Sequence, residues 1–261
     1  MKYFIRLAFY GRDFYGTQRQ KKDRTIQGVF EEALSTIYQE DIKVTISSRL
    51  DRYVNAMDFA LTFSTDKSTV TPEHLKYYLS RTLKSEIYIK EVFEVDESFS
   101  PRYDCDYKVY CYMIQSKPNY NPLLSPITFI PTFKVEKQDI EDSISLFEGQ
   151  YDFRQFSSLE GDENTIITVD STMVEEKDGI YYLRFKGKAF LRYQVRFMVG
   201  AILSYCQGKL SLDEIKKLLS GKEVKGYIKR KAEPQGLFLE EIHYPSLDKK
   251  ELSFAGVSFN I

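Results

Sequence analysis

Cysteine and histidine are scarce in this chain of 261 residues. It contains the cysteines Cys105, Cys111 and Cys206 and the histidines His74 and His243, which lie far apart in sequence. The cysteines are odd in number and show no CxxC spacing, which argues against a disulfide framework and against a zinc site. We therefore expect a functional site that holds no metal.

Long apolar runs are also missing. No window approaches the roughly 20 consecutive apolar residues that a membrane-spanning helix needs. The N-terminal stretch MKYFIRLAFYGRDF carries charges too early for a secretory signal peptide. With 43% hydrophobic and 15% aromatic residues, the chain can still bury roughly three quarters of its unfolded surface. We expect a globular, cytoplasmic protein with one large domain or two ordinary ones.

A surplus of one sign of charge is absent overall, because the formal net charge is only -1. This value argues against a protein that coats nucleic acid through bulk charge, but the charges are segregated along the chain. Residues 1–24, 179–212 and 222–231 are basic, the first two segments are also rich in Tyr and Phe, and acids dominate between residues 136 and 178. Cations for phosphates beside aromatic faces for bases are typical of a nucleic-acid groove. Ordinary solvated faces over aromatic cores would give the same pattern, so both interpretations stay open.

Hydrophobic periodicity divides the first part of the chain into six elements. Alternation predicts a half-buried strand in KYFIRLAFY, and helical spacing predicts a helix in TIQGVFEEALSTIYQ with Thr25 as its N-cap. Strands are predicted at 42–48, 59–64 and 87–95, with a second helix starting at Thr71-Pro72 between the last two. The order strand, helix, strand, strand, helix, strand is the split βαβ plan of ferredoxin-like domains and RNA-recognition modules.

The second part of the chain repeats a similar progression. The predicted elements are a strand at 108–115, a helix at 138–147, two strands at 165–176 and 181–190 joined at Asp178-Gly179, a helix at 191–206, a short helix at 210–221 and a strand at 237–244. We infer an α+β fold of two related ferredoxin-like (RRM-like) halves, whose antiparallel sheets meet around a central active-site cleft. The boundary is placed near 97–101, so that the domains cover residues 1–98 and 99–261.

The segment SSRLDRYVNA, residues 47–56, connects the second and third predicted strands. Asp51 stands here between Arg49 and Arg52, and an arginine in contact lowers the pKa of a carboxyl group by about 1 to 3 units. An aspartate that is kept ionised suits a nucleophile or an electrostatic stabiliser and does not suit a general acid. A structural salt bridge is the more common explanation of such a cluster, because charged pairs are frequent at surfaces.

The predicted helix LRYQVRFMVGAILSYC, residues 191–206, carries Arg192 and Arg196 four residues apart. Like charges at this spacing cost an isolated helix about 0.2 to 0.5 kcal/mol, and an anionic partner would relieve that cost. The candidate partners are a phosphate and Asp51 itself. A solvated helix face explains the two arginines equally well.

Several motifs, taken in order along the chain, resemble the TruA-type tRNA pseudouridine synthases. YGRDFYGTQRQ resembles that family's YDGxxYxGWQxQ, TIQGVFEEAL resembles TVQxxLExAL, and SSRLDRYVNA falls at the signature GRTDxGVHA. FSPRYDCDYKVYCYMI, GQYDFRQF, KAFLRYQVRFMVG and AEPQGLFLEEIHYP are similar to FxARxxAxxxxYxYxI, GxHDFxxF, xxFLxxMVRxxVG and APPxGLxLxxVxYP. The resemblance spans nearly the whole chain and implies the pseudouridine synthase fold.

The resemblance also implies a role for five residues. Asp51 falls on the catalytic nucleophile, and Arg196 on the arginine that would pair with it. Tyr110 would pack against a flipped base, Arg49 would contact phosphate or fill the space of the displaced base, and Arg102 falls on a further substrate-binding arginine. Neither a metal nor another cofactor is implied. The implied substrate is a uridine in the tRNA anticodon stem-loop, at nucleotides 38, 39 and/or 40, and the implied assembly is a homodimer.

The chain departs from the family pattern beside Asp51. Thr17 replaces the tryptophan of GWQ, and Ser48, Leu50, Tyr53 and Asn55 replace the Gly, Thr, Gly and His of the signature. Because a glycine can fix an unusual backbone angle, the loop conformation and the choice of substrate are where this chain is expected to differ. The alternative hypothesis is therefore a noncatalytic RNA-binding protein that keeps the fold. A carboxylate hydrolase is a poorer third, because such enzymes generally need a second carboxylate as acid.

Overall fold

A computed structural model describes residues 1–67, 70–83, 86–116, 120–158 and 164–247. Residues 159–163 of the acidic stretch lie outside these ranges. The strands are β1 Lys2–Phe9, β2 Val44–Ile46, β3 Asn55–Ser64, β4 Ile87–Val95, β5 Tyr107–Gln115, β6 Gly149–Asp152, β7 Ile166–Val169, β8 Ser171–Lys177, β9 Ile180–Gly187 and β10 Leu237–His243. The α-helices are α1 Ile26–Tyr38, α2 Pro72–Thr82, α3 Lys137–Ile144, α4 Gln194–Cys206 and α5 Leu212–Leu219.

The strands of the two predicted halves form one eight-stranded sheet. Its order is β4-β1-β3-β10-β5-β9-β8, and β2 is the eighth strand, paired with β3. Within each half the order is fourth, first, third, second strand, as β4-β1-β3-β2 and as β10-β5-β9-β8, and these neighbours are antiparallel. The prediction of an α+β fold that repeats the split βαβ plan is therefore confirmed.

The two halves of this sheet join where β10 pairs with the first residues of β3. This pairing is parallel, with Phe238 opposite Asn55 and Leu239 opposite Ala56, whereas β2 pairs further along β3. Because β3 begins directly after the segment that carries Asp51, the seam between the sheets lies beside that segment. The assignment of residues 1–98 and 99–261 to separate domains stays a prediction.

Strand β1 is buried on both faces, whereas its alternation predicted a half-buried strand. Tyr3, Ile5 and Leu7 are buried as expected, but so is Phe4 on the opposite face. The Phe4 ring meets the Tyr244 ring edge-on, with 5.4 Å between centroids. The prediction was wrong because residues far along the chain cover the face that sequence alternation assigns to solvent.

Helix starts follow the predicted capping residues. The Thr25 hydroxyl accepts a hydrogen bond from the Gly28 amide at the start of α1. Thr71 does the same for the His74 amide at the start of α2, with Pro72 as the first helical residue. Such caps satisfy backbone donors that would otherwise lack a partner within the helix.

Two predicted elements of the second half have different bounds. The strand predicted at 165–176 is divided at Asp170 into β7, which pairs with β6 in a separate two-stranded sheet, and β8, which pairs with β9. Helix α4 starts at Gln194 rather than at residue 191, because Tyr193 takes a left-handed backbone conformation with φ 64°. Arg192 therefore precedes the helix, and the argument from like charges four apart on one helix face was wrong.

A buried ion pair fastens β10 to the first half. Arg6 on β1 donates from Nε and Nη2 to the two carboxylate oxygens of Asp58 on β3, at 2.8 and 2.9 Å. Arg6 Nη2 also donates to the Ile242 carbonyl at 2.6 Å, and the Ile242 amide donates to Asp58 at 3.0 Å. Lys90 on β4 lies 3.7 Å from the same carboxylate. Four strands thus meet at one carboxylate.

Replacing Asp58 with alanine is expected to lower the free energy of unfolding by about 3 to 5 kcal/mol, because it leaves buried cations without their carboxylate. Urea denaturation followed by circular dichroism measures the change. The control is Asp41→Ala, which removes an exposed ion pair with Lys43 and is expected to cost about 0 to 1 kcal/mol. Equal effects of the two substitutions would contradict the role given to Asp58.

Candidate active site

The structure brings together Asp51, in the loop between β2 and β3, and Arg196, in the first turn of α4. Arg196 Nη1 donates to Asp51 Oδ2 at 3.0 Å. The Arg196 side chain is 11% exposed and the Asp51 side chain 25% exposed, so the pair is largely shielded from water. Of the two partners considered for Arg196, a phosphate and Asp51, the structure therefore shows Asp51.

Arg196 is held in place by the segment that precedes β10. Its Nε donates to the Ala232 carbonyl at 2.9 Å, and the Ala232 amide donates to the Arg196 carbonyl at 2.9 Å. One turn further along α4, a Cβ atom at Gly200 would lie 2.0 Å from the Arg230 carbonyl oxygen, so the helix and this segment are in close contact. The guanidinium group is thereby fixed with Nη1 directed at Asp51.

The arginines that flank Asp51 in sequence have other contacts. Arg49 is exposed and donates from Nε to Gln18 at 2.6 Å. Arg52 stacks its guanidinium over the rings of Tyr15 and Tyr53. Within the described ranges, the ion pair of Asp51 is with Arg196 and not with either neighbour.

Burial raises the pKa of the Asp51 carboxyl above its ordinary value. The hydrogen bond from Arg196 and the charges of Arg196, Lys231 and Arg192 act in the opposite direction but do not outweigh burial. The sequence-based prediction of a lowered pKa was wrong, because desolvation depends on the fold and the flanking arginines point elsewhere. Oδ1 of Asp51 accepts no hydrogen bond from any residue that the structure describes, so this oxygen is open to a substrate.

Tyr110 lies on β5 within range of the Asp51 charge. Burial raises its pKa to about 12, and the Asp51 carboxylate acts in the same direction. Its ring meets the Phe190 ring edge-on, with 5.1 Å between centroids. Tyr110 is therefore an uncharged phenol at neutral pH, in a fixed position near the carboxylate.

Arg102 lies apart from this group. It is exposed in the connection between β4 and β5, and its guanidinium lies 5.4 Å from the centroid of the Tyr103 ring. Its charge acts on Lys108, whose pKa is lowered mainly by burial. The structure thus brings Asp51, Arg196 and Tyr110 together and leaves Arg49 and Arg102 at the surface.

Sequence reasoning missed Lys231, whose charge acts on Asp51, and Tyr193, whose ring contacts the cations around it. The Tyr193 ring is approached by Lys231 Nζ at 3.9 Å, Arg192 at 4.9 Å and Arg196 at 5.6 Å. Lys231 is the last residue of the basic segment 222–231, and this cluster of charge was the sequence feature that pointed to it. The sequence did not show that the fold brings Lys231 close to Asp51. The carboxylate is consequently surrounded by an excess of cations, which favours an anionic ligand such as an RNA phosphate.

Thr17 supports the loop that carries Asp51. Its hydroxyl accepts from the Leu50 amide at 2.8 Å and donates to the Ser48 carbonyl at 3.0 Å, and its amide donates to the Leu50 carbonyl at 3.1 Å. A Cβ atom at the preceding residue, Gly16, would lie 2.6 Å from the Leu50 carbonyl oxygen. The residue that replaces the family's tryptophan therefore binds both backbone groups of the residue before Asp51.

Tyr53 and Asn55 hold the other end of this loop. Tyr53 has φ 69°, so the glycine-like backbone angle is kept although the family's glycine is missing. Asn55 accepts from the Gly11 amide at 2.8 Å and donates to the Gln235 carbonyl at 2.9 Å. Asn55 thus ties the loop to Gly11 and Gln235, and Tyr53 retains a backbone angle that glycine adopts readily.

Replacing Thr17 with valine, which has nearly the same shape, is expected to lower the free energy of unfolding by about 1 to 3 kcal/mol, because it leaves the buried Leu50 amide without that acceptor. Turnover is expected to fall with it, since the loop carries Asp51. Thr36→Val is the control: the Thr36 hydroxyl donates to Glu32 on an exposed helix face, and its loss is expected to change stability by about 0.5 kcal/mol or less. Thermal unfolding and steady-state kinetics of both variants check this, and a Thr17→Val protein that matches Thr36→Val would contradict it.

Within the described residues, no helix is long and apolar enough to cross a membrane. The same part of the chain contains no group of three or more His, Cys, Asp and Glu side chains arranged to hold a metal ion. Cys105, Cys111 and Cys206 are free thiols.

Comparison with known proteins shows similarity along most of the chain. A family model described as tRNA pseudouridine synthase matches residues 7–104 and 144–245. The tRNA pseudouridine synthase A of Aquifex aeolicus is 36% identical over 240 residues, which are 92% of this chain and 98% of the relative. Its counterpart from Staphylococcus aureus (strain MRSA252) is 32% identical over 255 residues, which are 97% of this chain and 94% of the relative.

A solved structure with low similarity is that of a Cbf5-Nop10-Gar1 complex. The match covers 75% of this chain and 44% of that chain, at 12% sequence identity and a TM-score of 0.34.

Proposed function

Because this chain belongs to the tRNA pseudouridine synthase family, we propose that it converts uridine to pseudouridine in the anticodon stem-loop of tRNA, with Asp51 as the nucleophile. The observation that carries this proposal is the hydrogen bond from Arg196 to Asp51, which occupies Oδ2 and leaves Oδ1 open. The family establishes a tRNA-modifying isomerase. The nucleophile and the target nucleotides, 38, 39 and/or 40, are the proposal.

A uridine within an RNA stem or loop must leave its stack to reach Asp51, which costs a few kcal/mol. Stacking of a base on an aromatic ring recovers about 1 to 3 kcal/mol, and Tyr110 is the ring that would receive the base. The cations Arg192 and Lys231 would hold the adjacent phosphates, because they contribute positive charge around Asp51 beyond what its carboxylate balances.

The reaction is balanced without any outside reagent. Oδ1 of Asp51 attacks either C1′ of the ribose or C6 of the uracil, and the N1–C1′ bond breaks. The base turns, a C5–C1′ bond forms, C5 loses its proton, N1 gains one, and Asp51 is released as a carboxylate. No electron and no group is gained or lost overall, so the reaction consumes no oxidant, reductant or group donor.

The three arginines have different roles in this proposal. Arg196 holds Oδ2 so that Oδ1 faces the sugar, and it stabilises the ionised form of the nucleophile. Arg49 and Arg102 are exposed, which suits contacts with the phosphate backbone that position the RNA. Arg49 would alternatively fill the space of the displaced base.

A homodimer in which both subunits contact each tRNA is also part of the proposal. The support is the resemblance to the family, and light scattering on the purified protein tests it by molar mass. A cytoplasmic location is also part of the proposal, because the proposed substrate is a tRNA.

Incubation of the protein with unmodified tRNA, followed by chemical mapping of pseudouridine along the RNA, tests the proposed target. We expect new pseudouridine in the anticodon stem-loop. Conversion elsewhere would overturn the choice of nucleotides but not the synthase activity. Tight binding without conversion would instead support the alternative, a noncatalytic RNA-binding protein, which nothing in the geometry of Asp51 favours.

A further inference from the structure

Arg52 directly follows Asp51 and carries its guanidinium group between two tyrosine rings. The guanidinium carbon lies 3.9 Å from the centroid of the Tyr15 ring and 4.4 Å from that of the Tyr53 ring. Arg52 is exposed, and Tyr15 exposes 41% of its surface. Stacking of this kind fixes the plane of the guanidinium and leaves its rim of N–H donors uncovered.

These donors have no acceptor within the described part of the chain, where Arg52 makes neither a hydrogen bond nor an ion pair. A planar guanidinium with free edges matches two oxygens of one phosphate through two parallel hydrogen bonds. A fixed guanidinium also loses less side-chain entropy on binding than a mobile one. The geometry therefore favours an anion with paired oxygens.

Tyr53 occupies its position at an energetic cost. A residue other than glycine at φ 69° is strained by an amount of the order of 1 to 3 kcal/mol, and the family signature has a glycine here. A function for the Tyr53 ring would explain why a tyrosine stands at this strained position. Its ring contacts the guanidinium of Arg52.

Tyr15 is held in place from both sides. Its amide donates to the Arg24 carbonyl at 2.8 Å, and its carbonyl accepts from the Gln20 side chain at 2.9 Å. The next residue, Gly16, is packed so closely on Leu50 that it has no room for a side chain. The two rings therefore belong to segments that are locked together, and the guanidinium between them cannot swing freely.

We propose that Tyr15, Arg52 and Tyr53 form a rigid clamp for a backbone phosphate of the RNA whose uridine reaches Asp51. Arg52 directly follows Asp51 in sequence, so the clamp belongs to the loop that carries the proposed nucleophile. Tyr53 replaces the glycine of the family signature and Arg52 stands at its variable position, so the clamp is not part of that signature. The inference rests on the proposed binding of tRNA at Asp51.

The dissociation constant of unmodified tRNA, measured at several salt concentrations with the full-length protein, tests the clamp. Arg52→Gln is expected to weaken binding about tenfold and to reduce the slope of log K against log salt by about one unit, because one phosphate contact is lost. Arg52→Lys is expected to keep the slope but lose part of the affinity, since an ammonium group does not bind in a bidentate manner. The control is Arg81→Gln, which removes an exposed arginine over the Tyr77 ring on α2 and is expected to change neither quantity.

Tyr53→Gly separates a binding role from a structural one. Because glycine adopts φ 69° without strain, this variant is expected to unfold at a higher temperature than the wild type, yet to bind tRNA several-fold more weakly. Unchanged affinity in Tyr53→Gly would overturn the clamp. An unchanged salt slope in Arg52→Gln would overturn the phosphate assignment. Contact of Arg52 with a base edge instead of a phosphate would give this result.

Turnover distinguishes failure of the clamp from failure of the proposed function. Arg52→Gln is expected to raise KM about tenfold and to leave kcat within about twofold, because it removes a binding contact that is uniform along the reaction. If the wild-type protein converts no uridine but Arg52→Gln shows the reduced salt slope, the proposed function is contradicted and the clamp is retained. If the wild-type protein converts uridine and the Arg52 variants match it in affinity and salt slope, the clamp is contradicted and the proposed function is retained.

Discussion

Replacing Asp51 with asparagine is expected to reduce pseudouridine formation by at least about 10⁴-fold, as removal of a nucleophile does in other enzymes. Asparagine has nearly the same shape, so its amide oxygen can still accept the hydrogen bond from Arg196. It lacks the negative oxygen that attacks the substrate, so tRNA binding is expected to remain while chemistry stops. Nuclease digestion of the tRNA followed by nucleoside chromatography measures the product.

The matched control for this variant is Asp13→Asn. Asp13 is exposed in the turn after β1 and lies in the basic N-terminal segment, residues 1–24. We expect wild-type turnover from it. An Asp51→Asn protein that retains more than about 1% of wild-type turnover would contradict the role of Asp51, because that loss is smaller than removal of a nucleophile produces.

Replacing Arg196 with glutamine is expected to reduce kcat by about 10² to 10³-fold, the range found when one preorganised charge-stabilising donor is lost. Arg192→Gln is expected to have a far smaller effect. Arg196 donates directly to Asp51, whereas Arg192 precedes α4, donates to the Tyr193 hydroxyl and acts on Asp51 only through its charge. Equal losses from the two substitutions would contradict the pairing of Arg196 with the nucleophile.

The pH dependence of turnover separates this role from simple packing. Activity needs Asp51 ionised, so it is lost as the pH falls through the pKa of Asp51. Burial raises that pKa, so the acid limb of the wild type is expected above the range of an ordinary aspartate. Arg196 lowers the same pKa, and its removal is therefore expected to move the acid limb to higher pH. Single-turnover rates across the acid range measure the shift, and a limb that stays in place or moves to lower pH would contradict the assignment.

Most elements of the fold could be predicted because each is encoded by a local pattern. Helix α1 follows from its apolar spacing and from Thr25, and the repeated order of strands and helices implies two ferredoxin-like halves. The parallel pairing of Phe238 with Asn55 could not be predicted, because it joins residues that are distant in sequence. The start of α4 was misplaced for a local reason, since nothing in the sequence marks Tyr193 as left-handed.

The candidate site was partly predictable. Asp51 and Arg196 were found through motifs, and the structure brings them within hydrogen-bonding distance. The flanking arginines were misleading, because neighbours in sequence need not be neighbours in space. The direction of the pKa shift of Asp51 depends on burial, which comes from the packing of both halves, so sequence reasoning about adjacent charges gave the wrong sign.

Two of the positions where this chain departs from its family, Thr17 and Asn55, have compensating contacts. Thr17 forms hydrogen bonds with the amide and the carbonyl of Leu50, and Asn55 forms hydrogen bonds with Gly11 and Gln235. These contacts come from three separate parts of the chain. These contacts explain how a loop with four altered positions can still present Asp51 to Arg196.

Release of tritium from C5 of uridine tests the central claim most directly, because formation of the C5–C1′ bond displaces the hydrogen at C5. Wild type and Asp51→Asn would be mixed with tRNA tritiated at uridine C5, with protein in excess and binding verified for both. We predict tritium release with the wild type, and none above background with Asp51→Asn. Bound wild-type protein that releases no tritium, or equal release by both proteins, would contradict the account.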